Sequence, residues 1–163
     1  MSEIKKFSNF IKSLANEVYE NLGDGFSEDI YQQALAYELR KNKIDYLRET
    51  VIELYYKDQM VGKGEMDFYF PEQKRKKFIL LKPVIIETKY VDNLSNNHRA
   101  QLKHYLMSTK LNKSKLLHKV DTGLLLNWAK KVEYNQIRII PEPSIDIEIW
   151  KLSKNDKKFE KLN

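Results

Sequence analysis

A carboxylate and an ammonium lie two residues apart in Val84-Ile85-Ile86-Glu87-Thr88-Lys89, an otherwise apolar run. Side chains alternate across a strand, so Glu87 and Lys89 share one face and Ile86 and Thr88 the other. A strand this apolar is expected to be central, where charge is costly unless it is paired or bound to something. A second acid, Asp67, interrupts the aromatic run Gly64-Glu65-Met66-Asp67-Phe68-Tyr69-Phe70. On neighbouring strands Asp67, Glu87 and Lys89 would converge. Two hard carboxylates beside a lysine suit a divalent cation and metal-assisted phosphodiester hydrolysis. The bland alternative for the Glu-x-Lys triplet, taken alone, is an ion pair on the solvated face of an edge strand.

Several elements must position these groups. Ile4, Phe7, Ile11, Leu14 and Val18 recur at three- and four-residue steps, which predicts an amphipathic helix over 3–21. Gly23-Asp24-Gly25 breaks it. Ser27 is placed to cap a second helix, with Glu28 and Asp29 in its first turn and an end near Lys43. From Val51 the period becomes strand-like. Strands are expected over Val51 to Tyr56 and Met60 to Phe70, with Lys57-Asp58-Gln59 as the turn and Gly62 and Gly64 permitting a bend or bulge. Pro71 to Lys77 reads as a polar connection. Phe78 to Tyr90 reads as a third strand whose regular pairing starts at Val84, after Pro83. Ser95 would cap a helix through about Lys110, with Leu102, Tyr105 and Leu106 facing inward. Leu124 to Asn127 reads as a short buried strand. Ile137 to Ile140 and Ile145 to Leu152 read as a last strand pair, separated by Pro141-Glu142-Pro143. The lysine-rich tail from Ser153 is expected to fray. This order predicts an α/β layer arrangement with a mixed sheet in one domain.

A chain of 163 residues has room for a real core, and 42% hydrophobic with 32% charged residues is globular rather than disordered. No apolar run approaches the roughly 20 residues of a membrane span, and the N-terminus lacks the apolar stretch of a signal peptide. Cysteine is absent, which excludes disulfides, thiol nucleophiles and thiolate metal sites. An intracellular setting, cytoplasmic or nuclear, is the expectation. The net charge is +6, and the stretch from Asn93 to Val120 contains no Asp or Glu. Arg99, Lys103, Lys110, Lys113, Lys115 and Lys119 lie in it, together with His98, His104 and His118, whose spacing is not that of a ligand set. A second basic cluster is Lys74-Arg75-Lys76-Lys77. Focused positive charge favours a polyanionic partner; the alternative is a merely lysine-rich solvated surface.

The segment Gly25-Phe26-Ser27-Glu28-Asp29-Ile30-Tyr31 contains G-x-x-E-x-x-Y, followed by Ala34-Leu35-Ala36-Tyr37-Glu38-Leu39-Arg40. Tyr55-Tyr56-Lys57, Val61-Gly62, Asp67, Glu87-Thr88-Lys89, Gln101 to Leu106 and Leu124 to Asn127 follow in order. In this joint order the chain resembles the GxxExxY family, placed among PD-(D/E)xK nuclease-like folds, over about residues 11–127. The resemblance implies a nuclease-like domain over 1–152, with an extension at 128–152 and a basic tail at 153–163. It implies Asp67 and Glu87 as acids for Mg²⁺ or Mn²⁺ and Lys89 as the active-site lysine. The Thr88 carbonyl would be a further metal ligand. Gln101 and Tyr105 match a Q-x-x-x-Y element of exonuclease relatives, although i,i+4 spacing alone puts them on one helical face. Glu28 matches the family's helix glutamate, which also reads as an ordinary N-terminal helix charge; Tyr31 reads as packing.

Nucleic acid, DNA ahead of RNA, is the implied partner, with Arg99, Lys103, Lys110 and Lys113 contacting phosphates without reading sequence. No membrane partner is implied. The extension, with its tryptophans, offers a surface for a second copy or another protein. Met66 stands where the superfamily's name expects proline, and the connection from Pro71 to Lys82 is longer than this family's hairpin. The rival reading is a catalytically silent nuclease fold used for binding or assembly. A small-molecule enzyme would need a phosphate-cradling glycine loop, which the sequence lacks.

Overall fold

The computed structural model describes residues 1–130, 144–153, 155 and 158–163. Two helices come first, α1 (Glu3–Leu22) and α2 (Glu28–Lys41). The apolar stripe of α1 buries Phe7, Ile11, Ala15 and Tyr19. The helix stops at Gly23, whose φ of 70° suits glycine and whose N–H bonds the Tyr19 carbonyl at 2.7 Å. Ser27 precedes α2 with extended backbone, but its hydroxyl makes no capping bond. Acidic Glu28 and Asp29 in the first turn and basic Arg40 and Lys41 in the last complement the helix dipole.

A long hairpin follows, β1 (Leu47–Tyr56) and β2 (Gln59–Phe70), starting four residues earlier than the apolar pattern suggests. Its register shifts between Leu54 and Tyr55, opposite the stretch from Met60 to Gly62. The expected bare connection instead holds a small two-stranded sheet, β3 (Gln73–Lys74) and β4 (Ile79–Leu80). The strand expected from Phe78 is therefore divided at Pro83, and β5 (Val84–Lys89) is the core strand. Helix α3 (Asn96–Ser108) opens with a reciprocal cap. The His98 N–H donates to Ser95 Oγ at 3.4 Å, and the Ser95 N–H donates to His98 Nδ1 at 3.1 Å. The chain ends with β6 (Thr122–Trp128), β7 (Ile145–Leu152) and β8 (Phe159–Lys161).

The main sheet has the order β1-β2-β5-β6-β7-β8. Among the described residues only β5 and β6 run parallel, joined by the crossover through α3. The result is the expected α/β fold: a mixed sheet flanked by helices, with β7 and β8 as an extra C-terminal pair. Helices α1 and α2 pack on one face against Phe68, Phe70, Ile86, Leu124 and Trp128. Helix α3 packs on the other against Ile52, Met66, Ile85 and Leu125. Both central strands are thus covered on two sides, which is why they read as unbroken apolar runs. A Cβ on Gly123 of β6 would lie 2.6 Å from Leu102 Cδ1, so only glycine lets α3 sit this close. Among the described residues no helix is long and apolar enough to cross a membrane.

One expectation at the C-terminus changes, and one is untested. The strand expected over Ile137 to Ile140 lies outside the described residues; β7 pairs with β6 and, through Trp150 to Leu152, with β8. The tail expected to fray supplies β8, and Asn163 Oδ1 accepts from the Ile149 N–H at 2.8 Å. Sequence periodicity missed this strand because its three residues alternate too briefly to register.

Arg99, expected on the phosphate-contacting surface, is tied into the fold. It donates to both carboxylate oxygens of Glu148 on β7, at 2.9 and 2.6 Å. These bonds, with one from Trp150 Nε1 at 2.7 Å, hold the Glu148 carboxyl down to about 2. A depressed folded-state value stabilises above the ordinary carboxylate range, and that contribution disappears as pH falls through about 2. The shift is worth about 3 kcal/mol. Urea unfolding of wild type and Arg99→Gln from pH 6 down to pH 2 should show a stability difference that shrinks with acidification. A gap that stays constant would mean packing, not charge, is what Arg99 supplies.

Candidate active site

Strands β2 and β5 pair at Phe70↔Val84, Tyr69↔Ile85 and Phe68↔Ile86, then part. The next residues in register are Asp67 and Glu87, and their carboxylates replace the missing ladder. The Asp67 N–H donates to Glu87 Oε1 at 3.2 Å, and the Thr88 N–H donates to Asp67 Oδ2 at 2.7 Å. Each acid thus satisfies a backbone donor that the divergence exposes. The parting coincides with an irregularity on the other side of β2. Opposite Asp67, Glu49 of β1 adopts a left-handed conformation with φ 54°, between the pairs Arg48↔Phe68 and Thr50↔Met66. Met66 then packs on the α3 side and Phe68 on the α1–α2 side, although two residues apart in a regular strand share a face.

Glu87 is 2% exposed. Burial first, then repulsion from Asp67, pushes its carboxyl up to about 8, against the Asp67 N–H and Lys89. Lys89 follows on the same strand, half-buried, and makes no hydrogen bond or ion pair among the described residues. Its charge is nonetheless felt at Glu28, Glu87 and His98. Glu28 reaches the same place from α2. Burial raises its carboxyl above the ordinary range, Lys89 opposes the rise and Asp67 adds to it.

The loop before Glu28 is clamped by two tyrosines. Tyr31 OH donates to the Gly23 carbonyl at 2.7 Å, and Tyr90 OH accepts from the Gly25 N–H at 2.8 Å while donating to Asp24 Oδ1. Gly25 has φ 97°, a conformation that favours glycine. The two rings pack together at 4.8 Å, and Tyr31 stacks on Trp128 at 5.4 Å. Tyr31 is therefore a packing residue, as expected, whose hydroxyl also fixes the loop. Beyond Lys89 the chain is held by Asn127, which accepts from the Val91 N–H and donates to the Val91 carbonyl, both at 3.0 Å.

Gln101 is exposed on α3 and donates to the buried Tyr105 hydroxyl at 3.2 Å. A Cβ on Gly64 would come within 2.7 Å of that hydroxyl, so this glycine makes room for Tyr105. Burial, then the charge of Glu87, raises Tyr105 above its ordinary value. Lys103 is half-buried, while Lys110 and Lys113 are exposed. The histidines are not simply basic surface. His98 serves the α3 cap and is lowered by burial and by Lys89, and His118 Nε2 lies 2.6 Å from the Asn112 carbonyl. In the second basic cluster Arg75 is bonded to Asp45 at 2.8 Å and Lys77 lies over the Phe10 ring.

Sequence reasoning missed Gln32 and Arg48. Gln32 Nε2 donates to Thr88 Oγ1 at 2.8 Å and to Glu28 Oε1 at 3.3 Å, and Arg48 Nη2 donates to Gln32 Oε1 at 3.0 Å. The one available signal was that Gln32 lies one turn after Glu28.

Among the described residues no three His, Cys, Asp or Glu groups form a metal cage. The donor chemistry nevertheless fits Mg²⁺ or Mn²⁺. Both acids are hard oxygen ligands, and Asp67 Oδ1 and Glu87 Oε2 accept no hydrogen bond from the described residues. Mg²⁺ typically keeps several waters and uses one or two carboxylates, which this pair supplies. The mutual repulsion that strains Glu87 is what a cation relieves.

Comparison with curated proteins and with solved structures returns no match. Residues 5–139 match the family described as the PD-(D/E)XK nuclease superfamily. That span runs from α1 through the whole of β6, so the acids and the lysine lie inside the matched region, and the chain belongs to the PD-(D/E)XK nuclease superfamily.

Proposed function

We propose that this protein hydrolyses phosphodiester bonds of nucleic acid with Mg²⁺ or Mn²⁺, DNA ahead of RNA. The observation that carries this reading is the interlocked pair Asp67 and Glu87, with Lys89 two residues on. Asp67, Glu87 and the Thr88 carbonyl would hold the ion. When bound, it would supply an activated water and charge neutralisation at the scissile phosphate. Lys89 orients the attacking water or stabilises charge on the phosphate oxygens. Glu28, raised toward the protonated form, is suited to hold or pass a proton at the rim. Tyr105 and Gln101 line the α3 side. Lys103, Lys110 and Lys113 continue from there and contact backbone phosphates without reading bases. The motif of Gly25, Glu28 and Tyr31 supports placing the chain in the GxxExxY branch.

A second reading is a catalytically silent module that binds nucleic acid or a protein. The absence of a three-ligand cage among the described residues favours it. Thermal unfolding of wild type and Asp67→Asn, each with chelator and with Mn²⁺, separates the two, alongside cleavage of labelled single- and double-stranded DNA and RNA. At free metal about 100 times its Kd, wild type should gain about 2.7 kcal/mol and the variant little of it. No metal-dependent shift and no cut substrate would leave only the binding module.

A further inference from the structure

The Asp67 carboxylate is held by more than its own strand neighbours. Thr88 Oγ1 donates to Asp67 Oδ2 at 3.0 Å, beside the 2.7 Å bond from the Thr88 N–H. The same hydroxyl accepts from Gln32 Nε2 at 2.8 Å. A hydroxyl has one hydrogen, so once Gln32 donates to it, that hydrogen is directed at Asp67. Gln32 must present its NH₂ to Thr88 because its oxygen is fixed from the other side. Arg48 has only donors, and its Nη2 meets Gln32 Oε1 at 3.0 Å. The chain of donors therefore runs in one direction: Arg48 to Gln32, Gln32 to Thr88, Thr88 to Asp67.

These groups lie where a misplaced dipole is expensive. Thr88 is 0% and Gln32 7% exposed. The guanidinium lies over the Phe68 ring at 5.5 Å, and Arg48 Nε is buried without a partner among the described residues. An orphaned donor in a buried group calls for a reason. The guanidinium also lies 3.7 Å from Asp29 Oδ1 and 3.8 Å from Glu49 Oε1, and its bond to Gln32 Oε1, at 3.0 Å, is the shortest of these contacts. The second bond of Gln32 Nε2, to Glu28 Oε1 at 3.3 Å, makes one amide a shared reference for both Glu28 and Asp67.

We propose that Gln32 is a positioning residue: with Arg48 behind it and the Thr88 hydroxyl ahead, it fixes the orientation of the Asp67 carboxylate, turning Oδ2 toward β5 and leaving Oδ1 for a ligand. This rests on the nuclease reading for what the ligand is, but the orientation itself is a property of the protein without metal. Neither Gln32 nor Arg48 touches the reacting atoms; toward Asp67 they act through Thr88, while Gln32 also reaches Glu28 directly.

The test uses Gln32→Met, Thr88→Val, their double variant and Thr88→Ser, each as the full chain with folding checked by circular dichroism. Mn²⁺ titration should show about tenfold weaker binding for Gln32→Met and for Thr88→Val. The double variant should lose no more than the worse single one, because both break one chain. Thr88→Ser keeps the hydroxyl and should bind Mn²⁺ like wild type. A second readout needs no metal. In chelator, hydrogen exchange at the Thr88 amide should speed several-fold in Gln32→Met, while the Leu125 amide on β6 keeps its rate. Should Gln32→Met fail to fold, Thr88→Val against Thr88→Ser carries the same comparison. Wild-type Mn²⁺ affinity in Gln32→Met and Thr88→Val, or losses that multiply in the double variant, would overturn the relay. If wild type itself binds no Mn²⁺, the nuclease reading fails, and exchange at Thr88 still decides the relay: an unchanged rate overturns it.

Discussion

Lys89→Ala should lower kcat/KM for nucleic-acid cleavage by about 10²- to 10³-fold, the usual effect of removing one preorganised charge-stabilising donor. The expectation comes from the position of Lys89. It follows the buried Glu87 on β5, beside two carboxylates that feel its charge, yet it forms no ion pair among the described residues. An ammonium held near acids without pairing to either keeps its donors available for substrate. Because Lys89 opposes the raised pKa of both Glu28 and Glu87, the variant should also bind metal no worse than wild type once the acids are ionised. Single-turnover cleavage beside a Mn²⁺ titration checks both parts. Cleavage at the wild-type rate would remove Lys89 from the chemistry. Lys89→Arg should rescue poorly, since a planar fork does not replace a compact ammonium.

Glu87→Gln should stabilise the metal-free protein at alkaline pH by several kcal/mol. The Glu87 carboxyl is pushed from 4.5 up to about 8, first by burial and then by Asp67. A raised folded-state value means the folded protein holds the proton more tightly than the unfolded chain. The stabilising contribution is complete below about 4.5 and is lost as pH rises through about 8. Glutamine keeps the shape and never ionises, so the variant escapes that loss. Denaturant unfolding in chelator at pH 4 and pH 9 should give similar stabilities at the first and a clear advantage for Glu87→Gln at the second. Equal stabilities at both would show that the acid is well solvated in the absence of metal. Saturating Mn²⁺ should erase the advantage, because only wild type gains from the ion.

Asp67, Glu87 and Lys89 were legible because charge inside an apolar, strand-like run is conspicuous, and neighbouring strands were enough to bring them together. The mixed sheet was legible from the change of period near residue 50 and its reversal after Ser95. What escaped was whatever depended on partners distant in sequence. Arg99 looked like one more cation in an acid-free stretch, and Glu148, which fixes it, lies on β7. Gln32 looked like an ordinary polar helix residue until β5 met it at Thr88. The start of β1 at Leu47 was hidden by Arg48 and Glu49, polar residues that serve the neighbourhood of the site rather than the core. The parting of β2 from β5 at Asp67 was hidden too. Alternation assumes a regular pleat, and Glu49 breaks it.

Asn127 has a kinetic meaning. The hairpin of β1 and β2 joined to β5 is built from contacts close in sequence, whereas the parallel pairing of β5 with β6 must wait for the α3 crossover to close. The reactive end of β5 therefore straddles an early-forming and a late-forming half of the molecule. By gripping both backbone groups of Val91, Asn127 serves as a latch on the late half. A latch that closes after the folding barrier acts on escape rather than on arrival: it slows unfolding and leaves the folding rate nearly untouched. The end of the strand that carries Lys89 is thereby tied to a strand that the chain reaches only through the α3 crossover.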